Sequence, residues 1–81
     1  MILDRDAVIA VIKFRVAART LRRIFYKSHS RVFRHEGLWF RIAKGENKTI
    51  EVIYGKPDTS RRCLLEIHEL VLMAYSTRQI V

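Results

Sequence analysis

Between Lys13 and Arg34 the chain carries eight cationic side chains (Lys13, Arg15, Arg19, Arg22, Arg23, Lys27, Arg31 and Arg34) and no carboxylate. Like charges at helical spacing repel by a few tenths of a kcal/mol per pair, so a surface that is only solvated usually mixes its signs. Arginines outnumber lysines eleven to five. A planar guanidinium grips two phosphate oxygens at once, whereas an ammonium acts as a point charge. With Phe25, Tyr26 and Phe33 interleaved, the run has the electrostatic footprint of a nucleic-acid-binding surface. The competing reading is a solvated arginine face that keeps the domain soluble. Arg41, Arg61 and Arg62 are possible extensions of the surface.

Other chemistry is sparsely provided. His68-Glu69 opens like the zinc-protease pattern, but the second histidine one turn later is replaced by Leu72, so the pattern fails. His29, His35, His68 and Cys63 have no ligand-like spacing, so no metal site is expected. Cys63 falls on an apolar stripe and reads as a small core residue. Glu66 and Glu69, with Arg62 nearby, read as a solvated, partly paired helix face. The glycines at 37, 45 and 55 are isolated and make no phosphate-cradling loop. The expectation is a non-enzyme without a cofactor.

The elements that must hold these residues follow from periodicity. Asp4 or Asp6 can cap a helix, after which Ala7, Ala10/Val11, Phe14, Ala17/Ala18, Leu21 and Ile24/Phe25 recur at three- and four-residue steps. This predicts one helix over about 5–27, although Ile12, Phe14 and Val16 alternate with Lys13 and Arg15 as a strand would. Residues 31–54 alternate around turns at Glu36-Gly37 and Gly45-Glu46-Asn47, which predicts a three-stranded antiparallel meander. Asp58, Thr59 or Ser60 then caps a second helix to about Tyr75, with Cys63/Leu64, Ile67, Leu70/Val71 and Ala74 inward. The tail 76–81 is expected to be loosely held. The expected fold is α+β, with both helices on one face of the sheet.

Strand parity puts Trp39 beside Arg41 and Ile53 and opposite Leu38, Phe40 and Ile42. If the helices cover the Leu38 face, Trp39 lies on the open side, where it could stack on a base or centre a protein interface. Coverage by a helix or the tail is the alternative. The order helix, three strands, helix resembles that of double-stranded-RNA-binding domains, and Arg61-Arg62 fall where that family carries a basic cluster at the start of its last helix. The resemblance is one of layout: the family's Gly-Pro-x-His loop is replaced by His35-Glu36-Gly37, and its alanine-rich last helix by a Leu/Ile/Val-rich one.

Length and composition bound the rest. Eighty-one residues with 49% hydrophobic content, three Gly and one Pro make a single small ordered domain. The net charge of +8 is lopsided: residues 1–35 contribute +7 and residues 36–81 only +1. A single cysteine rules out an internal disulfide framework. The first residues place two acids before any apolar run, unlike a signal peptide, and no apolar stretch, Ala7 to Ile12 included, exceeds six residues. A cytoplasmic protein without a membrane span is therefore expected. The functional expectation is a nucleic-acid-binding or regulatory domain. The alternative is an accessory or inhibitor module docking on an acidic protein partner, or a homodimer, because Val8, Ile9, Ile12 and Val16 lie off the main helical stripe and Trp39 and Ile53 face outward.

Overall fold

A computed structural model describes residues 3–70 of the chain. They form a small α+β domain: α1 (Arg5–Arg15), α2 (Ala18–Lys27), then β1 (Arg31–His35), β2 (Leu38–Lys44), β3 (Thr49–Lys56) and β4 (Thr59–Glu66). The strands make one antiparallel sheet in sequence order, β1-β2-β3-β4. Residues 67–70 form one helical turn at the end of the described chain.

The single helix expected over 5–27 is two. The Asp4 carboxylate caps α1 by accepting the Ala7 amide at 2.7 Å. At Val16 and Ala17 the backbone turns extended, and α2 begins at Ala18. Neither Gly nor Pro marks the break, which has its reason in packing. At about 100° per residue, an unbroken helix would aim Val8, Ile12 and Val16 roughly opposite to Leu21, Ile24 and Phe25. All six are buried, so the chain must re-aim between the two sets. Phe14, placed inward by the single-helix reading, is instead 79% exposed. The aliphatic residues Val8, Ile12 and Val16, which made a dimer attractive, are covered by the chain's own core.

The sheet has four antiparallel strands in place of the expected three. The first turn has left-handed backbone at Glu36 and Gly37 (φ 51° and 82°), as a two-residue hairpin whose twist matches its strands requires. Lys56-Pro57-Asp58-Thr59 forms another hairpin turn, and Thr59–Glu66 pairs along β3 instead of opening a helix. Pro-Asp serves equally as turn chemistry and as a helix start. The buried residue decides between them: Leu65 is fully buried while Leu64 is 40% exposed, the alternation of a strand. The layout resemblance to double-stranded-RNA-binding domains fails here, because Arg61 and Arg62 lie on an edge strand. The rest of the expected helix, to Tyr75, and the tail lie outside the described residues.

One core joins both helices to one face of the sheet. Val8, Ile12, Leu21, Ile24 and Phe25 meet Phe40, Ile42, Ile50, Val52, Tyr54 and Leu65. Phe40 stacks between Phe33 and Tyr54, at 5.3 and 5.7 Å between ring centroids. Two ties fix the start of α1. The Tyr54 hydroxyl donates to the Leu3 carbonyl at 3.0 Å, and Arg5 donates to the Leu64 carbonyl at 2.8 Å and grips the Glu69 carboxylate with Nη2 at 2.6 Å. That carboxylate also accepts the Glu66 amide at 2.7 Å, one half of a capping box over the turn at 67–70. Burial alone raises the Glu69 pKa, but the Glu66 amide and the Arg5 guanidinium outweigh it and hold the group below its ordinary 4.5.

Candidate nucleic-acid interface

The cations of the expected interface fall on three surfaces. The first is the solvent side of α2. Arg19, Arg22, Arg23, Tyr26 and Lys27 share an arc of about 140° at helical spacing, opposite the buried Leu21, Ile24 and Phe25. Arg19, Arg23 and Lys27 are exposed and Arg22 is half-buried. Tyr26, 73% exposed, stands among them. No acid lies on α2. Lys27 also complements the negative end of the helix dipole, as Lys13 and Arg15 do at the end of α1.

The second surface is the seam between α1 and β1, and here a predicted contact residue turns out to have a place in the fold. Arg15 donates to the Arg34 carbonyl at 2.6 Å, approaches His35 Nδ1 at 3.3 Å, and lies 4.9 Å from the centroid of the Phe33 ring. It fastens the end of α1 to the edge strand. Arg31 lies exposed at the start of the same strand, and Arg61 lies exposed on β4, at the opposite edge of the sheet.

The third surface is the sheet face turned away from the helices. Register aligns Val32, Arg41, Ile53 and Arg62 in one row across the four strands, with Arg34, Trp39, Gly55 and Ser60 in the next. The parity that joined Trp39, Arg41 and Ile53 therefore holds, and Trp39 is 44% exposed. The Arg34 guanidinium lies over the Trp39 ring at 5.2 Å from its centroid, a cation–π contact. Arg62 is ion-paired to Glu51 at 2.6 Å, whereas Arg41 stands exposed beside a groove of about 320 Å³ lined by Trp39, Val32, Ile53, Gly55 and Lys56. Parity alone revealed this face; what sequence reasoning missed was Lys56, which needs the β3–β4 turn to reach the groove.

Among the described residues no three His, Cys, Asp or Glu side chains gather into a metal-holding group. Cys63 is free and half-buried against the core. No described helix is long and apolar enough to cross a membrane. Compared with protein-family models, curated proteins and solved structures, the chain matches none.

Proposed function

We propose that this chain is a small non-enzymatic nucleic-acid-binding or regulatory domain that contacts phosphates through α2 and β1. The observation that carries the reading is the α2 arc: four cations around an exposed tyrosine, with no acid on the helix. Packing does not require this arrangement, because the opposite side of α2 supplies all its buried residues. Arg31 lies exposed at the start of the edge strand β1 on the helix side, and Arg34 of the same strand adds a cation on the open sheet face. The free thiol of Cys63 fits a reducing, cytoplasmic setting.

A mobility-shift titration with an oligonucleotide at two salt concentrations tests the proposal. Each neutralised phosphate contributes about 0.9 to the slope of log K against log salt on duplex DNA. Binding that weakens steeply with salt supports the reading. No binding at low salt, or binding indifferent to salt, rejects it.

A second reading is favoured by one observation. Phe14 and Tyr26 are 79% and 73% exposed on the helix side, and large exposed aromatics next to arginines also suit a protein interface. In that case the partner is an acidic protein, and a pull-down from nuclease-treated lysate recovers it without nucleic acid.

A further inference from the structure

We propose that the sheet face opposite the helices is a second contact surface, on which an unpaired nucleobase of a single-stranded nucleic acid stacks against Trp39 while Arg41 and Lys56 hold the flanking phosphates. The proposal rests on the nucleic-acid reading above and adds the form of the ligand.

Three observations carry it. First, the groove beside Trp39, about 320 Å³, has the volume of a small-molecule pocket, for which roughly 300 Å³ is the lower bound. Its lining is apolar around the indole, with Val32 and Ile53 beside it. Second, the charge around it is of one sign. Arg41 and Lys56 line the groove and Arg34 lies over the indole, while no acid lines it. The acid in the neighbouring row, Glu51, is neutralised by Arg62. An apolar floor with cations at its rim complements a base flanked by phosphates. Third, Trp39 and Val32 remain 44% and 59% exposed, although the same sheet buries Phe40 and Ile42 completely on its other side. Stacking on an aromatic side chain needs a base whose faces are free, which a duplex does not offer. The occupant is therefore a single strand.

Trp39 is the chain's sole tryptophan, so its fluorescence reports on this surface alone. The intact chain is titrated with oligo-uridylate, with oligo-deoxythymidylate and with a blunt duplex, at low salt. Either single strand is expected to quench Trp39, and the duplex to leave it unchanged. Trp39→Ala is expected to weaken single-strand affinity on the order of tenfold, the effect of losing one base–aromatic stack, with Trp39→Phe restoring most of it. Duplex affinity should be the same in all three proteins. Circular dichroism confirms that the variants are folded, and Trp39→Leu, apolar but without a stacking ring, serves as the loss variant if the Ala variant is not.

If oligonucleotides bind without quenching and Trp39→Ala binds as tightly as the parent, the stacking proposal is overturned while the α2 reading stands. Quenching by the duplex equal to that by single strands overturns it as well. A change of Trp39 emission with protein concentration alone, with no response to oligonucleotide, assigns the face to a second copy of the chain and overturns it. If nothing binds at low salt, both readings fall together.

Discussion

The two faces of the sheet follow different rules. Beneath the helices, Phe40, Ile42, Ile50, Val52 and Leu65 are completely buried and carry no polar side-chain atom to satisfy, and the one hydroxyl beside them, that of Tyr54, is paired with the Leu3 carbonyl. On the other face the same four strands alternate Val32, Trp39 and Ile53 with Arg34, Arg41 and Arg62. Folding dictates the first set. It leaves the second largely free, since an exposed sheet face is commonly polar. An exposed tryptophan among arginines is therefore informative about binding in a way that a buried phenylalanine is not. The helix layer repeats the contrast within α2, whose buried side is Leu21, Ile24 and Phe25 and whose outer side is cationic.

Substitutions at adjacent positions of one strand separate the two faces most clearly. Phe40→Ala should cost about 3–5 kcal/mol of stability, while Arg41→Ala, its exposed neighbour, should stay within about 0.5 kcal/mol. Chemical denaturation of both variants measures the difference. Comparable losses at the two positions would mean that the open face is covered after all.

Next in size is the loss of binding without loss of stability. Replacing Arg19, Arg23 and Lys27 together by Ala should lower the salt slope of duplex-DNA binding by up to about 2.7, at roughly 0.9 per phosphate contact, and that of single-strand binding by up to about 2.1, at roughly 0.7 per contact. The melting temperature should hardly move, since all three are exposed. Arg15→Ala sharpens the contrast, because Arg15 ties α1 to β1 through the Arg34 carbonyl. It should lower stability by about 1 kcal/mol, the usual net worth of such a bond, and change the salt slope less than the α2 substitutions do.

Gly55→Ala probes the turn that makes the fourth strand. Gly55 has φ 134°, and a Cβ there would collide with the Thr59 carbonyl. A loss of about 1–3 kcal/mol is expected from forcing a non-glycine residue into this backbone region, read by thermal denaturation. The smallest effect is acidic. Glu69 is held below its ordinary 4.5, so its contribution is present above the unfolded value and is lost as pH falls through the folded one. Stability should therefore decline below pH 4.5, and Glu69→Gln should make that part of the decline shallower.

Much of this was readable in advance, for identifiable reasons. The pairing of β1 with β2 and of β2 with β3 follows from alternation and from Glu36-Gly37, whose turn admits few other residues, but the sheet has a fourth strand. The exposure of Trp39 follows from parity once the Leu38 face is covered. The break at Val16-Ala17 is silent locally, since neither residue is a helix breaker; only the angular offset between Val8/Ile12/Val16 and Leu21/Ile24/Phe25 betrays it. The fourth strand is ambiguous because Cys63/Leu64, Ile67 and Leu70 fit a helical stripe as well as Cys63 and Leu65 fit a strand. Pairing with β3 settles that choice, and pairing is a property of distant residues. The cations of α2 share one side because they lie within one uninterrupted helix.

We propose that nucleic acid meets the cationic side of α2 and the open sheet face, and leaves the covered face alone. Amide chemical-shift mapping of the intact chain during titration with a single-stranded oligonucleotide at low salt tests it most directly. Perturbations are expected to concentrate at Arg19, Arg23 and Lys27 and at Trp39, Arg41 and Ile53, and to fade together as salt is added. Shifts confined to the neighbourhood of Phe14, or none at all, would contradict it.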